Sequence, residues 1–124
     1  MGKSSLKLKI LYGEGDAEVL ASQAAAIQKA GHQVTTAEGR KGVEAALKQS
    51  TYDLVILGPT LSRNDRHHLP YMVKKHTGTR VLVMHADAGR HPQVDGILEQ
   101  GRSVEALVEM IASMMAQEAV VRRE

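Results

Sequence analysis

The sequence predicts an α/β fold built on a mostly parallel sheet, and three observations carry that expectation. Aliphatic runs of strand length alternate with stretches of helical period along the whole chain. The clearest runs are apolar at consecutive positions, as strands covered on both faces require. At 124 residues the chain fits one core, because two would each fall near the size at which a core is hard to build. Residues 1–124 are therefore expected to form a single domain, with residues 1–6 as a flexible leader and 119–124 as a frayed tail.

Each element has its own local reason. Lys7 to Tyr12 alternates and then runs apolar, giving a first strand that Gly13-Glu-Gly-Asp16 is expected to break. Asp16 is a candidate N-cap for a helix with Val19, Leu20, Ala24 and Ile27 on one face, stopped at Gly31. His32 to Ala37 is rich in β-branched residues and reads as the second strand; a short helix follows, burying Val43, Ala46 and Leu47. Asp53 to Leu57 carries four consecutive aliphatic residues and ends at Gly58-Pro59, which makes it a central strand. Ser62 to Asp65 begins a third helix reaching Lys75. Pro70 lies inside it and predicts either a kink or a helix that truly starts at the proline. Arg80 to Met84 is the fourth strand and Val94 to Leu98 the fifth. Ser103 then caps a last helix, expected to run to about Glu118, whose Val104, Leu107, Val108, Ile111, Met114 and Met115 recur at helical spacing.

Composition removes several function classes. With 43% apolar and 24% charged residues the chain is an ordinary globular protein, and it has no apolar run of about 18 residues that could span a membrane. Absence of cysteine excludes a disulfide framework, a thiolate nucleophile and a cysteine-type zinc site, and makes a cytoplasmic location the default. Tyr12, Tyr52 and Tyr71 are the only aromatic side chains besides histidine, so bases of single-stranded nucleic acid have almost nothing to stack on and no nucleic-acid partner is expected. The net charge of +2 hides an asymmetry. Residues 63–91 hold six Lys or Arg against two acids, and residues 92–124 hold three against six. Arg63, Arg66, Lys74 and Lys75 around the third helix form a possible partner surface on that ground.

In parallel sheets, function gathers at the carboxyl ends of the strands. The passages Lys9-Ile-Leu-Tyr-Gly-Glu14, Lys29-Ala-Gly-His-Gln-Val34, Tyr52-Asp-Leu-Val-Ile-Leu57 and Arg80-Val-Leu-Val-Met84 together make the chain resemble the receiver domains of bacterial response regulators. That is the CheY-like family, a flavodoxin-like three-layer sandwich with strand order 2-1-3-4-5. The resemblance covers nearly the whole chain and implies a role in two-component signal transduction or a phosphorelay.

The resemblance also implies a site, and the chain departs from it. The acidic pair that holds magnesium in the family falls at Glu14 and Gly15, with Asp16 next. The phosphoacceptor aspartate falls at Gly58, which has no side chain to phosphorylate. The Ser or Thr that reads the phosphoryl group falls at His85, and the lysine that pairs with it falls at Glu99. Three changes in one cleft point to a pseudo-receiver with no catalytic residues and no cofactor or metal. Octahedral magnesium wants several carboxylate or phosphate oxygens close together, and one acid is missing.

The link between strands four and five is also short. Only Asp87 to Gln93 separate Ala86 from Val94, where the family places a helix. Returning along a five-residue strand takes about 17 Å, and seven extended residues reach about 24 Å. The helix is therefore expected to be missing or replaced by an extended link, with a parallel fifth strand; an antiparallel edge strand is the alternative. Aliphatic surface of strands four and five should then lie bare and favour a partner or a self-contact.

These readings converge on an atypical receiver domain, not an enzyme, that signals by phosphorylation-independent contact with a sensor kinase, another signalling protein or a second copy. The alternative is a small-molecule or metal-binding domain using a cleft lined by Glu14, Asp16, His85 and Glu99. Gly13-Glu-Gly15 is a poor dinucleotide motif, because its third glycine falls at Glu18 and Glu14 and Asp16 would face a pyrophosphate.

Overall fold

The computed structural model describes residues 7–76, 78–84, 95–98 and 104–123, with side chains of the last helix described from Glu105 through Met114. The elements run β1 (Lys9–Glu14), α1 (Ala17–Lys29), β2 (Gln33–Glu38), α2 (Gly39–Gln49), β3 (Leu54–Leu57), α3 (Arg63–His76), β4 (Arg80–Met84), β5 (Gly96–Leu98) and α4 (Val104–Arg123). Five strands form one sheet in the order β2-β1-β3-β4-β5, and every neighbouring pair is parallel. This is the flavodoxin-like receiver fold, with four helices among the described residues.

Consecutive apolar residues in each strand feed two cores, because neighbouring side chains point to opposite faces. Ile10, Tyr12, Leu54, Ile56 and Leu82 turn to one face and pack under Leu20, Ala24 and Ile27 of α1 and Leu107, Ile111 and Met114 of α4. Leu11, Val55, Leu57, Val81 and Val83 turn to the other, under Val43, Ala46 and Leu47 of α2 and Leu69 and Val73 of α3. The four residues of β3 are wholly buried, as a strand between two helical layers must be.

Both ends of α1 follow the chemistry read from sequence, while the expected cap at Ser103 lies outside the described residues. Asp16 caps α1, its Oδ1 accepting the amides of Glu18 at 2.8 Å and Val19 at 3.2 Å. Gly31 follows at φ 106°, a left-handed conformation that suits glycine at a helix stop.

Several expectations need correction. β1 does not break at Gly13 but continues to Glu14, paired with Glu38. Gly13 serves packing there, since a Cβ would stand 2.6 Å from Val43 Cγ2. α3 runs through Pro70 and does not start at it. The proline costs one helical hydrogen bond to the Arg66 carbonyl, which burial of Leu69, Pro70 and Val73 offsets. α4 continues past Glu118 to Arg123, because no glycine or proline interrupts Ala119 to Arg123. The fifth strand is parallel, and the antiparallel alternative falls.

The 85–94 link lies outside the described residues. The expected bare aliphatic surface is nonetheless absent among the described ones. Val81, Leu82, Val83 and Leu98 are buried and Ile97 half-buried, while Tyr71 is the one exposed large hydrophobic among the described residues. The reason is that α3 already covers Val81 and Val83 on one face, and α4 covers Leu82 and Leu98 on the other. No described helix is long and apolar enough to cross a membrane.

Candidate functional site

The carboxyl ends of β1 and β3 lie side by side, with Gly13 opposite Leu57 in the ladder and the Gly58 amide donating to the Gly13 carbonyl at 2.8 Å. The next residue on each strand is Glu14 and Gly58. Glu14 is fully buried, the one buried charged residue among those described. Its side chain crosses to β3: a Cβ placed on Gly58 would fall on the Glu14 carboxyl group. The volume in which a side chain at position 58 would begin is thus already filled by a carboxylate from the neighbouring strand.

A buried carboxylate must be hydrogen-bonded or its desolvation is not offset. Glu14 Oε2 accepts from the Tyr12 hydroxyl. Glu14 Oε1 accepts from the Thr60 amide at 3.0 Å and from the Thr60 hydroxyl at 2.6 Å. The Thr60 hydroxyl in turn accepts the amides of Gly15 at 2.8 Å and Asp16 at 3.0 Å. Its single proton and both lone pairs are therefore used. Among the described residues no Lys, Arg or His forms an ion pair with Glu14. Burial pushes the Tyr12 phenol well above its ordinary range, and the hydrogen bond to Glu14 and its charge push the same way, so the hydroxyl stays protonated and donates.

Gly15 completes the seal. A Cβ there would run into the Thr60 carbonyl, so the loop from Gly58 to Leu61 lies directly against the end of β1. Asp16 is exposed and engaged in capping α1. Of the residues read as the remains of an acidic metal pair, one is folded inward and one caps a helix. Among the described residues no three His, Asp or Glu side chains converge on a common point.

His85 and Glu99 lie outside the described residues. The structure thus brings together Glu14, Gly15, Asp16 and Gly58 of the six cleft positions. Tyr12 and Thr60 were missed. A signal existed for each: Tyr12 lies two residues before Glu14, on the same strand face, and Thr60 lies two residues past Gly58.

The four basic residues of the possible partner surface divide. Arg63 and Lys75 are exposed. Lys74 is half-buried, its ammonium donating to Asp95 Oδ2 at 2.7 Å and to the Thr79 carbonyl at 2.9 Å. Arg66 is half-buried as well, with its Nε shielded from solvent. The outward face of α3 is instead Arg63, Asn64, His67, His68, Tyr71, Lys75 and His76, with the His67 and Tyr71 rings in edge contact at 5.9 Å.

No family model and no curated protein matches the sequence. Solved structures do. A two-component response regulator from Clostridium difficile superposes with a TM-score of 0.79 at 18% identity, covering 90% of this chain and 98% of that one. The receiver domain of the Francisella response regulator 1452 gives 0.77 at 16% identity, over 90% and 99%. A response regulator receiver domain protein from Clostridium thermocellum gives 0.76 at 19% identity, over 94% and 99%. At these identities the likeness establishes the fold.

Proposed function

We propose that the chain is a pseudo-receiver, a receiver-fold signalling module of the cytoplasm that works by protein contact without aspartyl phosphorylation. One observation carries this reading: the Glu14 carboxyl group fills the place where an acceptor side chain on residue 58 would start. Glu14 has no exposed surface and its oxygens are engaged by Tyr12 and Thr60, which leaves a phosphodonor no route to in-line attack. His85 and Glu99, where receivers carry a hydroxyl and a lysine, fit the same reading at the level of sequence.

A switch needs two states of comparable energy that a ligand or modification can bias. The Glu14 network favours one. Output then follows from which surface the fixed state presents to a sensor kinase, a regulator or another copy.

The test is incubation of the purified chain with acetyl phosphate and Mg²⁺, followed by intact mass measurement. An unchanged mass is expected. A hydroxylamine-labile phosphoryl adduct on any carboxylate would overturn the reading.

A further inference from the structure

Two features of the surface remain unused by the site. The first is the outward stripe of α3, where Arg63, His67, Tyr71 and Lys75 follow at intervals of four residues and so lie along one side of the helix. Tyr71 is 43% exposed, the one large hydrophobic so placed among the described residues, and it sits between cationic positions. The second is an open groove of about 370 Å³ between the end of α1 and the start of α4. Its lining offers small and aliphatic side chains, Ala26, Ala30 and Val108, between Lys29 on α1 and the carboxylates of Glu105 and Glu109 on α4. Two carboxylates against one ammonium leave it net negative.

Stripe and groove complement each other in charge, and in form: an aromatic ring on a helix side that carries Arg63 and Lys75, against a shallow apolar floor edged by acids. They lie on opposite faces of the sheet, since α3 covers one face and α1 with α4 the other. A single copy cannot bring them together. Two copies can, and each added copy leaves one stripe and one groove open.

We infer that the chain associates with itself head to tail, the α3 stripe of one copy seating Tyr71 in the α1/α4 groove of the next. This rests on the reading of the chain as a contact module and names its partner as a second copy. The interface is heterologous, so association does not stop at two copies unless a ring closes. It is also electrostatic at its rim, so salt weakens it.

Light scattering on the purified chain across a concentration series tests this. At low salt the weight-average mass should climb from 13.5 kDa past twice that value without a plateau at two, and fall back as salt is raised. Tyr71→Ala removes the stripe and keeps the groove; Glu105→Lys with Glu109→Lys removes the groove and keeps the stripe. Each variant alone should stay monomeric, and an equimolar mixture should form a dimer capped at both ends. That mixture also controls for folding, because a misfolded partner cannot complement. A monomer at every concentration, a plateau at two copies, or a mixture that fails to pair would overturn the inference. None of these outcomes touches the phosphodonor result, so the two ideas fail separately.

Discussion

Thr60 holds Glu14 twice, through its amide at 3.0 Å and its hydroxyl at 2.6 Å, onto the same carboxylate oxygen. The two residues are 46 positions apart in sequence, and the contact ties the loop after β3 to the end of β1. Charge-assisted bonds of this kind are the stronger class, and their loss is measurable.

Thr60→Val keeps the shape and the amide but removes the hydroxyl. A buried carboxylate loses one donor and the amides of Gly15 and Asp16 lose their acceptor. The expected cost is about 1–3 kcal/mol in urea unfolding, moderated because water reaches Thr60. Thr60→Ser retains the hydroxyl and should cost less than half as much.

Gly58→Asp should destabilise the fold. Its Cβ would collide with the Glu14 carboxyl, and a second carboxylate would enter a site without a paired cation among the described residues. A loss of about 3 kcal/mol or more is expected, as for other buried unpaired charges. Adding Glu14→Ala should recover part of it, with a coupling of about 1–3 kcal/mol in a double-mutant cycle. Additive losses would mean that the two side chains do not compete.

Tyr12 gives an alkaline signature. Its folded pKa is raised above the ordinary value near 10, first by burial and then by Glu14, so the folded state keeps the phenol proton after the unfolded chain has lost it. The stability it contributes is whole below pH 10 and is lost as pH rises, at about 1.4 kcal/mol per pH unit. Chemical unfolding above pH 10 should show this slope in the native chain and not in Tyr12→Phe.

Asp95 anchors the edge of the sheet. Its Oδ2 accepts from Lys74 Nζ at 2.7 Å and from the Val81 amide at 2.8 Å. Asp95→Ala should cost about 1–2 kcal/mol, since the Val81 amide loses its acceptor and the Lys74 ammonium keeps only the Thr79 carbonyl. It should also speed amide exchange at Val81 and along β5 more than in β1, as read by mass spectrometry.

The elements were legible in the sequence because each rests on local pattern: the apolar run at Leu54–Leu57, the cap at Asp16, the stop at Gly31. What depended on neighbouring strands was not. Gly58 and Glu14 could each be singled out, but their meeting follows from the register that sets Gly13 opposite Leu57, which no local pattern encodes. Lys74 and Arg66 looked like surface charge until helix phase turned both partly inward. Pro70 misled for a related reason. Its backbone cost is local, whereas the burial of Leu69 and Val73 that outweighs it is tertiary.

The Glu14 carboxylate lying over Gly58 makes positions 14 and 58 one packing unit. A side chain gained at 58 meets a carboxyl group already in place, and a small residue at 14 takes the acceptor away from the Tyr12 and Thr60 hydroxyls. Exchange at both positions together is therefore expected to cost less than the two single exchanges summed.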